Sequence, residues 1–209
     1  MNTQTPETTF LWNDEGNPQG YDVLWKPLLA TLDRLPASNP RCLFDLGSGN
    51  GITAAMLSKH GWDIVGVDPS EDGVAIARNR APQCKFELGS GYEDLAGKFG
   101  QFPVVMSFEV IEHCYYVNKF AKTFFDLIEP GGIGIMTTPY HGYLKNLALA
   151  VTNHFDTHWH PEIDGGHIKF FSRKTLQGVL MGAGFSKLEF SNIGRIPPLA
   201  MSHFVICYK

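Results

Sequence analysis

The sequence predicts an α/β fold, a doubly wound parallel sheet with helices on both of its faces. Three observations predict it. Strand-like apolar runs alternate with helix-like ones along most of the chain, the pattern that requires crossovers between parallel strands. Phe44-Asp45-Leu46-Gly47-Ser48-Gly49-Asn50-Gly51 reads as a buried strand running into a glycine turn, followed by a helix from Ile52 to His60. A second strand, Trp62 to Val67, ends on Asp68, an acidic residue at the strand tip where doubly wound folds hold a ribose diol. Gly47 and Gly49 permit positive φ and let backbone N–H groups approach a ligand closely, and Gly51 lets the helix start pack near the strand. A nucleoside-bearing cofactor at the C-terminal edge of the sheet is therefore expected.

Composition bounds the rest. The 209 residues are read as one domain, and 44% hydrophobic with 18% charged residues fits a soluble globular protein. No apolar run reaches the ~18 residues that span a bilayer. Met1 to Thr9 is polar and has no basic-plus-apolar leader, so a cytoplasmic location is expected. Four cysteines are scattered without C-x-x-C spacing; Cys42 and Cys207 fall in expected core strands, and a reduced compartment follows. A net charge of -4 argues against a large nucleic-acid footprint.

In chain order, Met1 to Gly20 is a polar lead-in. Tyr21 to Leu35 carries apolar residues at helical spacing and stops at Pro36. A strand at Phe86 to Leu88 leads into the polar loop Gly89 to Leu95. Pro103 to Phe108 is a fourth strand ending in Glu109-Val110-Ile111-Glu112-His113, and Ile128-Glu129-Pro130-Gly131-Gly132 is a turn before a fifth strand, Ile133 to Thr137. Residues 139–171 are an insertion at the cofactor edge. It holds His141, His154, His158, His160 and His167, five of the eight histidines, and a connection this long carries function. Within it Tyr143 to Val151 reads as an apolar helix, packed on the domain as a lid or in peripheral contact with a membrane or an oily substrate. Lys174 to Ala183 is a helix terminated by Gly184. Lys187 to Asn192 and Ser202 to Tyr208 are strands with no helix between them, a closing antiparallel hairpin.

The turn spacing is G-x-G-x-G rather than the G-x-G-x-x-G of dinucleotide sites, and Asp45 beside it suits a cationic ligand better than a diphosphate. Asp45-x-Gly47-x-Gly49-x-Gly51 with Asp68 resembles motif I and the following acidic position of class I S-adenosylmethionine (SAM) methyltransferases. The loop after Phe86, the strand before Glu109 and the P-G-G turn follow in the family's order, so the resemblance covers Arg41 to Lys209. It implies a Rossmann-like three-layer αβα fold with a seven-stranded sheet of order 3-2-1-4-5-7-6, the last strand antiparallel. It implies SAM as cofactor, with Asp45, Gly47, Ser48, Gly49, Gly51, Asp68, Pro69, Ser90, Gly91, Tyr92, Phe108 and Glu109 around it. It also implies that residues 1–36 cap the cofactor cleft, where Trp12 and Tyr21 close over substrate or simply pack, and that residues 139–171 form the acceptor lid.

The methyl of SAM is already activated, so the protein has mainly to position a nucleophile, and a hydroxyl must lose its proton. If a helical turn begins after the fourth strand, Glu109, Glu112 and His113 share one face, a half-shell for Mg²⁺, Mn²⁺ or Zn²⁺. E-x-x-E-H also resembles the metal-binding run of ubiquinone-biosynthesis O-methyltransferases and small-RNA 2′-O-methyltransferases. In both, a later histidine completes the set, and Gly166-His167-Ile168-Lys169-Phe170 matches it. The resemblance thus implies His113, Glu112 and His167 as catalytic residues and Glu109, Glu112, His113 and His167 as metal ligands. The alternative is that the glutamates cap a helix and His113 lines the cleft without a metal. His158 and His160 alternate and would share a face in an extended segment. The expected function is methyl transfer to a small-molecule oxygen in a phenol or quinone precursor; RNA 2′-O-methylation and SAM binding without catalysis are the alternatives.

Overall fold

In the computed structural model, residues 21–37, 39–159, 164–195 and 199–209 are described, so the lead-in, Trp12, His160 and the side chain of Tyr21 lie outside it. Seven strands form one sheet: β1 (Cys42–Leu46), β2 (Asp63–Asp68), β3 (Lys85–Leu88), β4 (Phe102–Phe108), β5 (Ile128–Pro139), β6 (Lys187–Ile193) and β7 (Ser202–Tyr208). Their order is β3-β2-β1-β4-β5-β7-β6, with β7 antiparallel to both of its neighbours and the other pairs parallel. The expected order and the closing hairpin are both present.

Strand alternation sorts the core onto two faces. Leu43, Ile64, Val104, Met106, Ile135 and Phe204 point to one face, against α1 (Tyr21–Leu32), α2 (Ile52–Lys59) and α3 (Glu71–Arg80). Phe44, Val105, Met136, Val205 and Cys207 point to the other, against α4 (Leu95–Phe99), α5 (Val117–Leu127) and α8 (Arg173–Ala183). This is the three-layer αβα arrangement, and every strand of its centre is covered on both sides. Ser70 caps α3 by accepting the Gly73 N–H, and Ser172 and Thr175 form a capping box on α8.

One local expectation is corrected. The P-G-G segment is not a turn ahead of the fifth strand: β5 begins at Ile128, which pairs with Phe102 before the register slips and resumes at Val104 with Ile133. The slip accommodates the two glycines as an irregularity inside the strand. The apolar helix of the insertion, α6 (Tyr143–Val151), does not bury its apolar side: Tyr143, Leu144, Leu147 and Val151 are exposed, and the buried residue of the helix is Lys145. α7 (Phe155–Trp159) follows it. No helix among the described residues is long and apolar enough to cross a membrane.

Candidate active site

The site grows from the turn after β1. Gly47 and Gly51 have φ of 87° and 72°, in the left-handed region that favours glycine. A Cβ on Gly51 would lie 2.7 Å from the Ala77 Cβ, so α2 packs against α3 only because that atom is missing. The carboxylate of Asp68 fastens the turn: one oxygen accepts the Gly49 N–H at 2.8 Å and the other accepts the Ser70 N–H at 2.9 Å. A carboxylate has lone pairs to spare for a diol beyond these two bonds.

The turn floors a cavity of about 270 Å³ lined by Asp45, Gly47, Ser48, Gly49, Asp68, Pro69, Phe108, Glu109, His113, Gly165 and His167, among others. A smaller one of about 80 Å³, lined by Ser90, Gly91 and Tyr92, shares Gly47, Pro69, Val110 and His113 with it. Of the twelve positions expected around the cofactor, the structure brings eleven to these two cavities. Gly51 stands behind the wall in its packing role. Asn50, Ile52, Thr53, Ser70, Val110, Cys114 and Phe120 also line the cleft and were not foreseen. Asn50 sits inside the glycine run and Thr53 one turn into α2, so proximity to the turn was the available signal; Phe120 and Cys114 come from tertiary packing alone. The indole of Trp25 on α1 donates to the Thr53 hydroxyl at 3.4 Å, which sets α1 beside the cleft.

Burial makes the floor electrostatically tense. Asp45 is 3% exposed, and desolvation, with the nearby Asp68 charge, pushes its carboxyl up to about 8. A cation in the cavity would relieve both. Glu109 has an unusual φ of 54°, held by its N–H donating to the carbonyl and hydroxyl of Thr137 at 3.2 and 3.1 Å. Desolvation raises its carboxyl to about 7, against hydrogen bonds from Thr137 and Ser202 and the Lys145 charge.

Beyond Glu109 the chain makes a single 3-10 turn, Ile111–His113, so the expected α-helical face does not form. The sheet and the insertion assemble the cluster instead. The Glu112 carbonyl accepts the N–H groups of Ile168 and Lys169 at 3.0 and 2.9 Å, which draws His167 in. Glu112, His113 and His167 then place one ligand atom each within 4.8 Å of one another, and the two imidazole rings meet edge-on at 4.8 Å. Glu109 is not part of this group; its side chain turns toward Thr137, Ser202 and Lys145. Glu112 is fully buried, with Oε2 accepting from the Thr138 hydroxyl at 2.9 Å and Oε1 accepting no hydrogen bond. Desolvation and the Glu109 charge raise its carboxyl far above the usual range. His113 Nδ1 lies 2.7 Å from the Gly165 carbonyl, so Nδ1 carries the hydrogen and Nε2 is the basic nitrogen. Burial lowers the His113 pKa, keeping the ring neutral.

Comparison with known proteins decides the family. A family model described as a methyltransferase domain matches residues 22–189. The chain belongs to this methyltransferase family. It is similar to the ubiquinone biosynthesis O-methyltransferase of Azorhizobium caulinodans, 29% identical over 156 residues, covering 72% of this chain and 61% of that protein. It is likewise similar to the protein of the same name from Caulobacter vibrioides, 30% identical over 175 residues, covering 79% and 69%. Among solved structures the methyltransferase domain of bacterial CtHen1-CN superposes with a TM-score of 0.69 at 20% identity, covering 90% of this chain and 99% of that one. That likeness is one of fold. The chain spans about three fifths of the length of the Azorhizobium relative.

The cleft fits the family's methyl donor on its own chemistry. Two buried carboxyls face the cavity, and the buried Ser48 hydroxyl has no hydrogen-bond partner, so a ligand with both cationic and polar groups satisfies what the protein leaves unsatisfied. The Glu112, His113 and His167 donor set fits a divalent cation by the same test: a buried carboxylate oxygen without a partner beside two imidazoles.

Proposed function

We propose that this methyltransferase transfers the methyl group of SAM to an oxygen of a small molecule, in a phenol or quinone precursor. The observation that carries the reading is Glu112 Oε1, buried, unsatisfied and clustered with His113 and His167, which line the cavity that Asp45 and Asp68 floor. The similarity to two proteins named for ubiquinone-biosynthesis O-methylation supports it.

Each residue has a task in this reading. Asp45 and Ser48 hold the charged methionine end of the cofactor, Asp68 its ribose, and Ser90, Gly91 and Tyr92 its base. Phe108 and Val110 keep water from the sulfonium, where a dry cavity strengthens every charge interaction. His113, neutral and with its Nδ1 hydrogen fixed on the Gly165 carbonyl, presents a basic nitrogen that can take the acceptor's proton. Alternatively, Glu112, His167 and that same His113 nitrogen would hold a divalent ion, Mg²⁺, Mn²⁺ or Zn²⁺, which would take the place of the base by supplying charge that makes a nearby hydroxyl more acidic. In this reading the chain is one domain, with the described residues of the 1–36 segment as cap and those of 139–171 as the lid that selects the acceptor.

RNA as acceptor gains no support, since Lys145, Lys169, Arg173, Lys174 and Arg195 are too few and too dispersed along a chain of net charge -4 to point to a basic groove. Calorimetric titration of SAM and S-adenosylhomocysteine into metal-stripped protein, repeated with each divalent ion, tests the reading. Cofactor binding plus a separate metal heat that Glu112→Ala and His167→Ala abolish is the expected outcome. Absence of any cofactor heat would overturn it.

A further inference from the structure

The donor set of Glu112, His113 and His167 is held from two directions. The insertion holds the histidines. The Gly165 carbonyl lies 2.7 Å from His113 Nδ1, and Ile168 and Lys169, next along the chain from His167, donate their N–H groups to the Glu112 carbonyl. The sheet holds the carboxylate. β4 ends at Phe108, which pairs with Thr137, whereas β5 runs on to Pro139 and keeps β7 as its neighbour there, with Thr138 opposite His203. Thr138 therefore stands on an overhang with no β4 residue beside it, and the 3-10 turn from Ile111 to His113 packs on this part of β5. Across that contact the Thr138 hydroxyl donates to Glu112 Oε2 at 2.9 Å.

The choice of threonine is informative. Thr138 is fully buried, where a hydroxyl costs free energy that valine, of the same shape, avoids. Thr137 is fully buried as well, and its hydroxyl accepts the Glu109 N–H at 3.1 Å. Two successive buried hydroxyls at the end of β5 thus both reach the segment that follows β4, Thr137 serving Glu109 and Thr138 serving Glu112. The second bond also divides the labour of a carboxylate. With Oε2 engaged, Oε1, buried and without a hydrogen-bond partner, is the oxygen left to act as a ligand. We propose that Thr138 is a positioning residue for the divalent ion: its hydroxyl pins Glu112 Oε2 to the sheet and so presents Oε1 to the ion that His113 and His167 share. Thr138 lines neither cavity of the cleft and acts through Glu112. A glutamate without this anchor has to be ordered when the ion arrives, and the ordering is subtracted from the affinity. The proposal rests on the reading of Glu112, His113 and His167 as a divalent-ion site.

The test is calorimetric titration of Mn²⁺ into metal-stripped wild type, Thr138→Val and Thr138→Ser, with S-adenosylhomocysteine titrated into each as a control of folding. Thr138→Val keeps the shape and removes the hydroxyl, and should weaken Mn²⁺ binding about tenfold to a hundredfold, the usual effect of removing a group that orients a metal ligand. Thr138→Ser keeps the hydroxyl and should stay within about threefold of the wild type. A purely structural threonine predicts the reverse order, since valine fills the buried site and serine leaves a gap where the methyl stood. If Thr138→Val does not bind S-adenosylhomocysteine as the wild type does, Thr138→Ala replaces it, and serine, which differs from alanine by the hydroxyl alone, should bind Mn²⁺ about tenfold more tightly or better. Serine binding Mn²⁺ no more tightly than valine, or than alanine in the substitute comparison, overturns the proposal and leaves the ion site standing. A wild type that does not bind Mn²⁺, or binding that survives Glu112→Ala, overturns the ion site and the proposal together. Binding of S-adenosylhomocysteine by the wild type reports separately on the methyltransferase reading.

Discussion

Asp45 offers a direct way to separate what the site costs from what it does. Its carboxyl, which ordinarily titrates at 3.8, stays protonated to about 8 in the folded, ligand-free chain because burial and the Asp68 charge disfavour ionisation. At pH 7 the folded chain therefore holds a proton that the unfolded chain has released. Over the interval from 3.8 to 7 this costs about 4 kcal/mol, at about 1.4 kcal/mol per pH unit. The sign follows from the raised value: the residue's contribution to stability is fully present below pH 3.8 and is lost progressively as pH rises through about 8.

Asparagine has the same shape and no charge to desolvate. Asp45→Asn should therefore stabilise the ligand-free protein by as much as about 4 kcal/mol at pH 7 and by less than half of that at pH 5. Urea unfolding of both proteins without ligand, from pH 5 to pH 8, measures the gap directly. The same variant should lose SAM affinity, because a cationic ligand prefers the ionised carboxylate. In the wild type SAM binding should tighten as pH rises toward 8 and should release protons at pH 7, readable in calorimetry with two buffers of different ionisation heat. Glu109, at about 7 in the same cavity, also releases protons, so the variant should reduce the count by nearly one and not to zero. A variant less stable than wild type at pH 7, or a stability gap that does not widen with pH, refutes the reasoning.

Three further substitutions probe the frame around that floor. Gly51→Ala combines a φ of 72° with a Cβ 2.7 Å from that of Ala77, and should cost about 2–3 kcal/mol in urea unfolding while weakening SAM binding; an unchanged midpoint would show that α2 and α3 can part at no cost. Glu112→Gln keeps the acceptor for the Thr138 hydroxyl and removes only a charge the buried carboxyl does not carry without a cation, so stability in chelator should hold or rise while calorimetric Mn²⁺ binding disappears. Persistent Mn²⁺ binding would place the ion elsewhere. Phe124→Ala, at a fully buried ring packed on Phe185, should cost about 3–5 kcal/mol in the same unfolding assay, and a loss under 1 kcal/mol would mean that this face of the core repacks freely.

The parts of the fold that were legible in the sequence are those encoded locally. Alternating periods located every strand but the fifth, whose start they missed by five residues, within a residue or two, and the acid-glycine spacing located the cofactor floor, because a left-handed φ at Gly47 and Gly51 leaves few other residue types able to stand there. The histidine cluster was legible as a set of residue types and illegible as a geometry. A helical face was expected for Glu109, Glu112 and His113, yet Glu109 sits at φ 54° because Thr137, on the neighbouring strand, holds its N–H. No property of the run from Glu109 to His113 encodes that partner, which lies 28 residues away. The orientation of α6 was left open for a related reason. Helical period tells which residues share a face and not which face the protein covers, and here the chain buries Lys145 while Tyr143, Leu147 and Val151 remain exposed. A lysine placed inward on an apolar helix spends packing energy that leucine would have returned. Such a choice is the physical mark of a residue kept for its charge.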